Sequence, residues 1–214
     1  MFDRLSVLKQ KGYYPDMILD IGAYHGTWTV EMKKIYPGST YHLFEAIDYQ
    51  ELKVMNNVHN VLLNDNAREV DWYQMKNTGD SMFKETTYHF ANCPAIKRSS
   101  IDLDTYCKQN NIAQSARNIF IKIDCQGAEI PILKGALRIL EKTDFVVMEI
   151  PLFGKYNEGV QNFLEHISFM DNIGFTPYDI VDNHYINGFN VQVDFLFINK
   201  KHEFNDNVNH SLLH

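Results

Sequence analysis

Cysteine is scarce in this chain and badly placed for staples or metal. There are three among 214 residues, Cys93, Cys107 and Cys125, an odd number at wide spacing with no CxxC pair and no zinc pattern. That usage fits reduced thiols in a cytoplasmic protein. Basic residues are also in deficit: Lys and Arg total 20 against 27 Asp and Glu, a formal net charge of −7. A nucleic-acid partner needs a basic face, and the chain offers only short pairs such as Lys33-Lys34 and Lys97-Arg98, which read as solvated surface. No apolar run approaches the roughly 20 residues of a membrane span. The opening MFDRLSVLKQKG mixes acid and base among its apolar residues, so residues 1–14 read as a short amphipathic helix rather than a signal peptide. Nine histidines are scattered without HxxxH spacing and predict no metal site. Internal repeats and low-complexity stretches are absent too.

What is present is alternation. MILDI (17–21), YHLFEA (41–46), NVLLND (60–65), NIFIKID (118–124) and FVVMEI (145–150) are short apolar runs that predict buried strands. Helical patterns separate them at 27–36, 48–57, 102–111, 130–141 and 160–173, with Ser100 or Asp102 capping the third and Gly174 stopping the last. EVDWYQM (69–75) alternates as a strand or hairpin arm. FTPYDIV (175–181) and VQVDFLFI (191–198) have no helix between them and predict an antiparallel hairpin. Strands alternating with helices mean a mostly parallel sheet covered on both faces, with the antiparallel last strand as its edge. One domain is expected over 1–200, carrying a long loop or insertion at 77–100, and a polar tail over 201–214 that frays.

The stretch DIGAYHG (20–26) ends the first strand on an acid and continues with two glycines four apart. In an open parallel sheet, ligands bind at the carboxyl ends of the strands. Gly22 and Gly26 can adopt positive φ, and the helix that follows presents free N–H groups. A dinucleotide asks for GxGxxG, which this turn lacks, and Asp20 is a poor neighbour for a pyrophosphate. It is a good neighbour for a cation, which favours S-adenosylmethionine (SAM), the carrier of an ammonium and a sulfonium. The second strand ends on Glu45, suited to accept two ribose hydroxyls, and the third on Asn64-Asp65, placed to meet an adenine edge. Three strand ends carrying Asp20, Glu45 and Asp65 weigh more than any one of them. The alternatives are a capping carboxylate at Asp20, a solvated strand end at Glu45, a plain turn at Asp65 and an exposed turn histidine at His25.

IFIKIDCQGAE (119–129) repeats the strand, acid, glycine, helix logic. Lys122 interrupts an apolar strand and shares a face with Asp124, and a lysine there needs a partner or an open end. Methyl transfer to a hydroxyl requires alignment and a group to take a proton. Asp124, Glu129 and Lys122 are the catalytic candidates, with Glu149 at the next strand end. The rival roles are a helix-end acid for Glu129, an ion-pair partner for Lys122 and a structural acid for Asp124.

With those residues in view, LDIGAYHGTWT, LFEA, SSIDLDTYCKQNNI, IFIKIDCQGAEIPILKGA and VVMEI resemble, in order, the FkbM-type SAM-dependent methyltransferases, and NIGFTPYDI and VDFLFINK resemble that family's closing strands. The resemblance covers about residues 16–199. It implies a class I methyltransferase fold of Rossmann-like type, with seven strands and an antiparallel last one. It also implies SAM as donor and O-methylation of a sugar, glycan or natural product. By carry-over Asp20, Gly22, Ala23, Gly26 and Glu45 bind SAM, while Asp124 and Glu129 match the family's second acidic segment, where Gln126 replaces a typical glutamate. NTGDSMF (77–83) resembles a loop that borders the acceptor, and the stretch 151–159 is expected to join it. Trp72, Tyr73, Tyr88 and Phe153 are candidates to stack on an acceptor or to sit in the core. Two rivals stand beside this reading: a nicotinamide-dependent oxidoreductase, and a degenerate SAM-binding module acting through a partner.

Overall fold

The computed structural model describes residues 1–152 and 157–204. In chain order the elements are α1 (Phe2–Gln10), β1 (Met17–Ile21), α2 (Thr27–Ile35), β2 (Thr40–Glu45), β3 (Val58–Asn60), β4 (Leu63–Asn64), β5 (Arg68–Tyr73), β6 (Ala95–Asp102), α3 (Leu103–Gln109), β7 (Ile119–Ile123), α4 (Glu129–Lys134), α5 (Leu137–Leu140), β8 (Thr143–Pro151), α6 (Phe163–Asn172), β9 (Phe175–Ile186) and β10 (Phe189–Asn199). Seven strands form one sheet in the order β3-β2-β1-β7-β8-β10-β9. Neighbours from β3 to β8 pair in parallel, and β10 runs antiparallel to both β8 and β9.

Every residue of β1 and β7 is buried, as continuous apolar runs demand of central parallel strands. Their alternation supplies two cores. Leu19, Ile21, Ile121 and Ile123 pack with Leu133 and Met148 on one face. Ile18 and Phe120 pack with Leu5, Trp28 and Phe145 on the other. Asp20 and Lys122 fall on this second face, beneath α2. The β9–β10 hairpin turns on Asn187 and Gly188, both at positive φ (50° and 82°), the pattern that matches strand twist in a two-residue turn. Asn162 begins α6 with a full capping box. Among the described residues no helix is long and apolar enough to cross a membrane.

The structure departs from the sequence expectations in five places. The last strand, β10, is not the edge: it inserts between β8 and β9, and β9 takes the edge. The expected helix at 48–57 is a 3-10 turn, Gln50–Val54, in which only Leu52 is buried, too little apolar surface to hold an α-helix down. The expected strand at 60–65 is divided: β3 closes the main sheet, while Leu63–Asn64 joins a separate three-stranded sheet, β4-β6-β5. The expected loop at 77–100 ends in β6, a largely exposed strand whose polar residues hide its pattern. The expected helix at 130–141 is two helices. A Cβ on Gly135 would lie 2.5 Å from the Asn64 carbonyl oxygen, so the chain breaks there. Asp104 then restarts α5 by accepting the Arg138 and Ile139 N–H groups at 2.8 and 3.0 Å. Asp102 is the N-cap of α3, accepting from Thr105 N–H at 2.8 Å. The expected fraying of the tail concerns mostly 205–214, outside the described residues, as is Phe153.

On the β2–β3 edge, His42 Nδ1 lies 2.9 Å from His59 Nε2, with the rings stacked 5.2 Å apart. Burial, then the His59 charge, pushes His42 from 6.5 down to about 4. A histidine depressed in the fold is protonated first in the unfolded chain, so its contribution is full above about pH 6.5 and lost as pH falls toward 4. Buried carboxyls such as Glu129 act in the opposite direction, so the pair is isolated by difference. The melting-temperature gap between wild type and His42→Gln should narrow between pH 7 and pH 5 in thermal unfolding, and a constant gap would exclude the histidine pair as an acid-labile contact.

Candidate active site

The site grows from two strand ends. Asp20 and Lys122 are register partners on β1 and β7. Both are buried, at 0% and 7% exposure. Lys122 Nζ lies 3.3 Å from Asp20 Oδ1 and 3.9 Å from Asp124 Oδ2, and donates to the Gly22 carbonyl at 2.7 Å. Thr29 on α2 donates to Asp20 Oδ2 at 2.7 Å. Burial alone would lower the lysine, but Asp20 and Asp124 outweigh it and hold it above its usual range, so it stays charged.

Gly22, at φ +74°, answers a steric demand: a Cβ there would sit 1.9 Å from the Asp124 carbonyl oxygen and 2.9 Å from Cys125 Sγ. The two acidic turns touch backbone to backbone, which only glycine permits. The Gly22 and Ala23 N–H groups both donate to the Phe44 carbonyl, at 2.9 and 3.1 Å. Glu45, one residue on, is held at the mouth of the turn. Its Oε2 accepts from Tyr24 N–H at 2.8 Å and its Oε1 from Ile47 N–H at 2.9 Å. Burial raises its pKa more than those two donors and Lys122 lower it.

A cavity of about 270 Å³ opens over these groups. Gly22, Ala23 and Glu45 lie beneath it, and Phe44, Ile47, Leu62, Leu63, Ala128 and Ile132 give it an apolar wall. Further along the sheet it meets Lys122, Asp124, Gln126, Glu149 and Asp194, and the segment 77–82 contributes Asn77, Thr78, Asp80 and Met82. That segment is pinned. Ser81 exchanges backbone hydrogen bonds with Tyr73 at 2.9 and 3.2 Å, and its hydroxyl donates to the Gln126 carbonyl at 2.8 Å.

Gln126, at φ +51°, turns its amide toward two acids, 3.2 Å from Asp124 Oδ1 and 3.1 Å from Glu149 Oε2. Gln192 donates to the same Glu149 oxygen at 2.9 Å. Glu149 is pushed well above the carboxylate range by burial and then by Asp124, Glu129 and Asp194. Asp194 is pushed up to about 6 by burial and then Asp124.

Not every residue singled out in the sequence reaches the cavity. Asp20 lies behind it, under Lys122. Gly26, at φ +76°, is the N-cap of α2, and a Cβ there would meet Met55 Sδ at 2.4 Å, so its glycine serves packing. Asp65 pairs with Arg68 at the end of β4, and the cavity wall beside it is formed by Leu62 and Leu63. Glu129, 2% exposed, closes its own turn by accepting from Cys125 N–H at 2.7 Å and Gly127 N–H at 3.2 Å. Burial pushes it up to about 7. His25 pairs with Glu51 at 3.1 Å. Trp72 lines the cavity, Tyr73 flanks the Ser81 contact, and Tyr88 is 82% exposed. The sequence reading missed Tyr24 and Tyr49, whose rings meet edge-on at 5.1 Å by the cavity. It also missed Asp80 and Asp194. Asp194 carried a signal, an acid inside the apolar run VQVDFLFI, as Lys122 did in its strand. Among the described residues no group of three or more His, Cys, Asp or Glu is arranged to hold a metal ion.

Comparison with protein families matches residues 20–177 to the methyltransferase FkbM domain. Among solved structures, a methyltransferase FkbM from Methylobacillus flagellatus KT is similar, with a TM-score of 0.51 at 16% identity over 85% of this chain and 43% of that one. This chain thus spans less than half the length of that relative. A 1,6-didemethyltoxoflavin N1-methyltransferase from Burkholderia thailandensis, solved with its substrate and S-adenosylhomocysteine, gives a TM-score of 0.50 at 10% identity over 94% of this chain and 78% of that one. At these identities the two structures show the fold. No curated protein matches the chain.

The Gly22 contact has a direct check. Gly22→Ala places a Cβ on the Asp124 backbone in a left-handed conformation, and the loss should exceed about 2 kcal/mol in denaturant unfolding. A loss below about 0.5 kcal/mol, the scale of an ordinary surface change, would mean that the two turns can separate.

Proposed function

This chain belongs to the FkbM family of SAM-dependent methyltransferases, and from that premise we propose that it binds SAM in the cavity over β1, β2 and β7 and methylates a hydroxyl oxygen of a sugar, glycan or natural product. The observation that carries the reading is Glu45. Its two oxygens are each fixed by one backbone N–H and keep lone pairs for two adjacent ribose hydroxyls. The apolar wall of Phe44, Leu62, Leu63 and Ile132 suits a nucleobase, and the acidic end suits a cationic group. The residues present therefore fit the donor.

SAM supplies a methyl group on a positive sulfur, which makes that carbon open to attack by an oxygen. The chain has to align that oxygen and receive its proton. Lys122 remains charged and is engaged by Asp20 and Gly22, so it is a positioning residue. Glu129 is turned into its own loop. Asp124, whose side chain is 39% exposed and lines the cavity, accepts one Gln126 hydrogen and keeps lone pairs to take the proton. Segment 77–83, held down at Ser81, borders the acceptor. Family membership replaces the nicotinamide reading. Gln126 bridges two acids within the wall and leaves the cavity open, so its presence does not favour a degenerate module.

Glu45→Ala should weaken SAM binding by more than about 1 kcal/mol, the worth of a charged hydrogen bond, in titration calorimetry. Unchanged affinity would remove the ribose from Glu45. Asp124→Asn should lower turnover by about 100-fold or more when labelled methyl transfer is followed on hydroxylated acceptors. Retained turnover would assign the proton to another group.

A further inference from the structure

The cavity wall beyond β1 carries acids that, among the described residues, meet no free counter-charge. Asp124 ends β7, Glu149 sits on β8, and Asp194 is its register partner on β10. All three line the same cavity. The donors that reach Glu149 are the neutral amides of Gln126 and Gln192. Among the described residues two cations stand near. Lys122 is held by Asp20 and the Gly22 carbonyl and lies 3.9 Å from Asp124, and the Met1 amine pairs with Asp182 at 3.5 Å. Asp182 is itself the register partner of Asp194 on β9. The other groups facing this wall are acidic or neutral: Glu129 from α4, Cys125 from the turn, and Glu45 and Asp80 farther along the lining.

We propose that this wall makes the protein charge-selective for its methyl donor, so that it takes the sulfonium form in preference to the neutral-sulfur product and sheds protons as the cation enters. The inference rests on the placement of SAM in this cavity proposed above. SAM carries one more positive charge than S-adenosylhomocysteine, and that charge sits on the atom that changes during the reaction. Glu149 is raised by burial and then by Asp124, Glu129 and Asp194, and Asp194 to about 6 by burial and then by Asp124 and Asp182, so both keep protons to higher pH than an ordinary carboxyl. A cation favours their charged forms, pulls their pKa values down and displaces those protons. The sign follows: binding of the cationic ligand strengthens as pH rises through about 6, while binding of the neutral product stays flatter. After transfer the positive charge has left the sulfur, the carboxyls take protons back, and the product loses its advantage over fresh donor.

The test is calorimetry of the full chain at pH 6.5 in two buffers of different ionisation enthalpy. The ligands are SAM, S-adenosylhomocysteine and sinefungin, an analogue with a charged amine in place of the methylated sulfur. SAM and sinefungin should bind about 10-fold more tightly than S-adenosylhomocysteine, the equivalent of one pKa unit, and release more protons. The ratio should shrink between pH 8 and pH 5 in the wild type, an arm that needs no variant. In Glu149→Gln combined with Asp194→Asn, shown folded by thermal unfolding, the ratio should fall below about 3-fold, as a lost pair of charges requires. Equal affinity and equal proton release for SAM and the product would overturn the inference, as would a ratio that survives in the double variant. If a folded protein binds none of the three ligands, the cavity assignment itself fails and this inference with it.

Discussion

The ion pair between Asp20 and Lys122 holds the centre of this molecule together in a particular arrangement. The two residues face each other across the middle strands of the sheet, both out of water. A buried pair of this kind adds little net stability, yet losing one partner strands the other at a cost of about 3–5 kcal/mol. Its value lies in what it positions. The lysine also holds the Gly22 carbonyl, and the aspartate holds the Thr29 hydroxyl of α2. One pair therefore sets the direction of the first turn, its distance from the second, and the start of the helix behind it.

From that centre the cavity acquires a polarity along the sheet. Toward β2 it is apolar except for Glu45, whose carboxylate is fixed by backbone donors. Toward β10 it is acidic, with carboxyls bridged by side-chain amides. The two halves suit the two ends of a nucleoside bearing a charged tail. The connection between them is the contact of Gly22 with Asp124, where the backbones of the two turns meet. Segment 77–83 reaches both halves: Met82 packs with Ile47, Leu62 and Trp72, and Ser81 ties the segment to the turn that carries Gln126. The two halves thus share one short stretch of chain, 124–128.

The strands that build this centre were legible because their apolar runs leave no other choice: β1, β2, β7, β8 and the closing hairpin all stand where the runs predict. Asp20, Glu45, Lys122 and Asp124 were visible as charged residues at strand ends or inside apolar runs. The sequence could not say which way each would turn. Glu129 sits in the same motif as Asp124 yet folds back onto the N–H groups of Cys125 and Gly127. Gly26 looks like Gly22 but answers to Met55. Asp65 was misplaced because Val61 to Asn64 leave the main sheet, a choice made by pairing with β6, whose polar sequence concealed a strand. The break at Gly135 has the same origin, since the carbonyl that crowds it belongs to Asn64, some seventy residues earlier.

The side sheet gives this chain a place where length is free to vary. In β5 and β6, Trp72 faces Ile96 and Val70 faces Arg98, and the Arg98 guanidinium lies over the Trp72 ring while donating to the Ala46 carbonyl. A single residue inserted within either strand would flip every later side chain to the opposite face and carry Trp72 or Arg98 away from the cavity wall. Residues added between Phe83 and Pro94 would leave that register untouched, because the chain has already touched down at Ser81 and re-enters the sheet at Ala95. Insertions and deletions in this interval can reshape the cavity's rim beside segment 77–83 while Gly22, Ala23 and Glu45 beneath it keep their places.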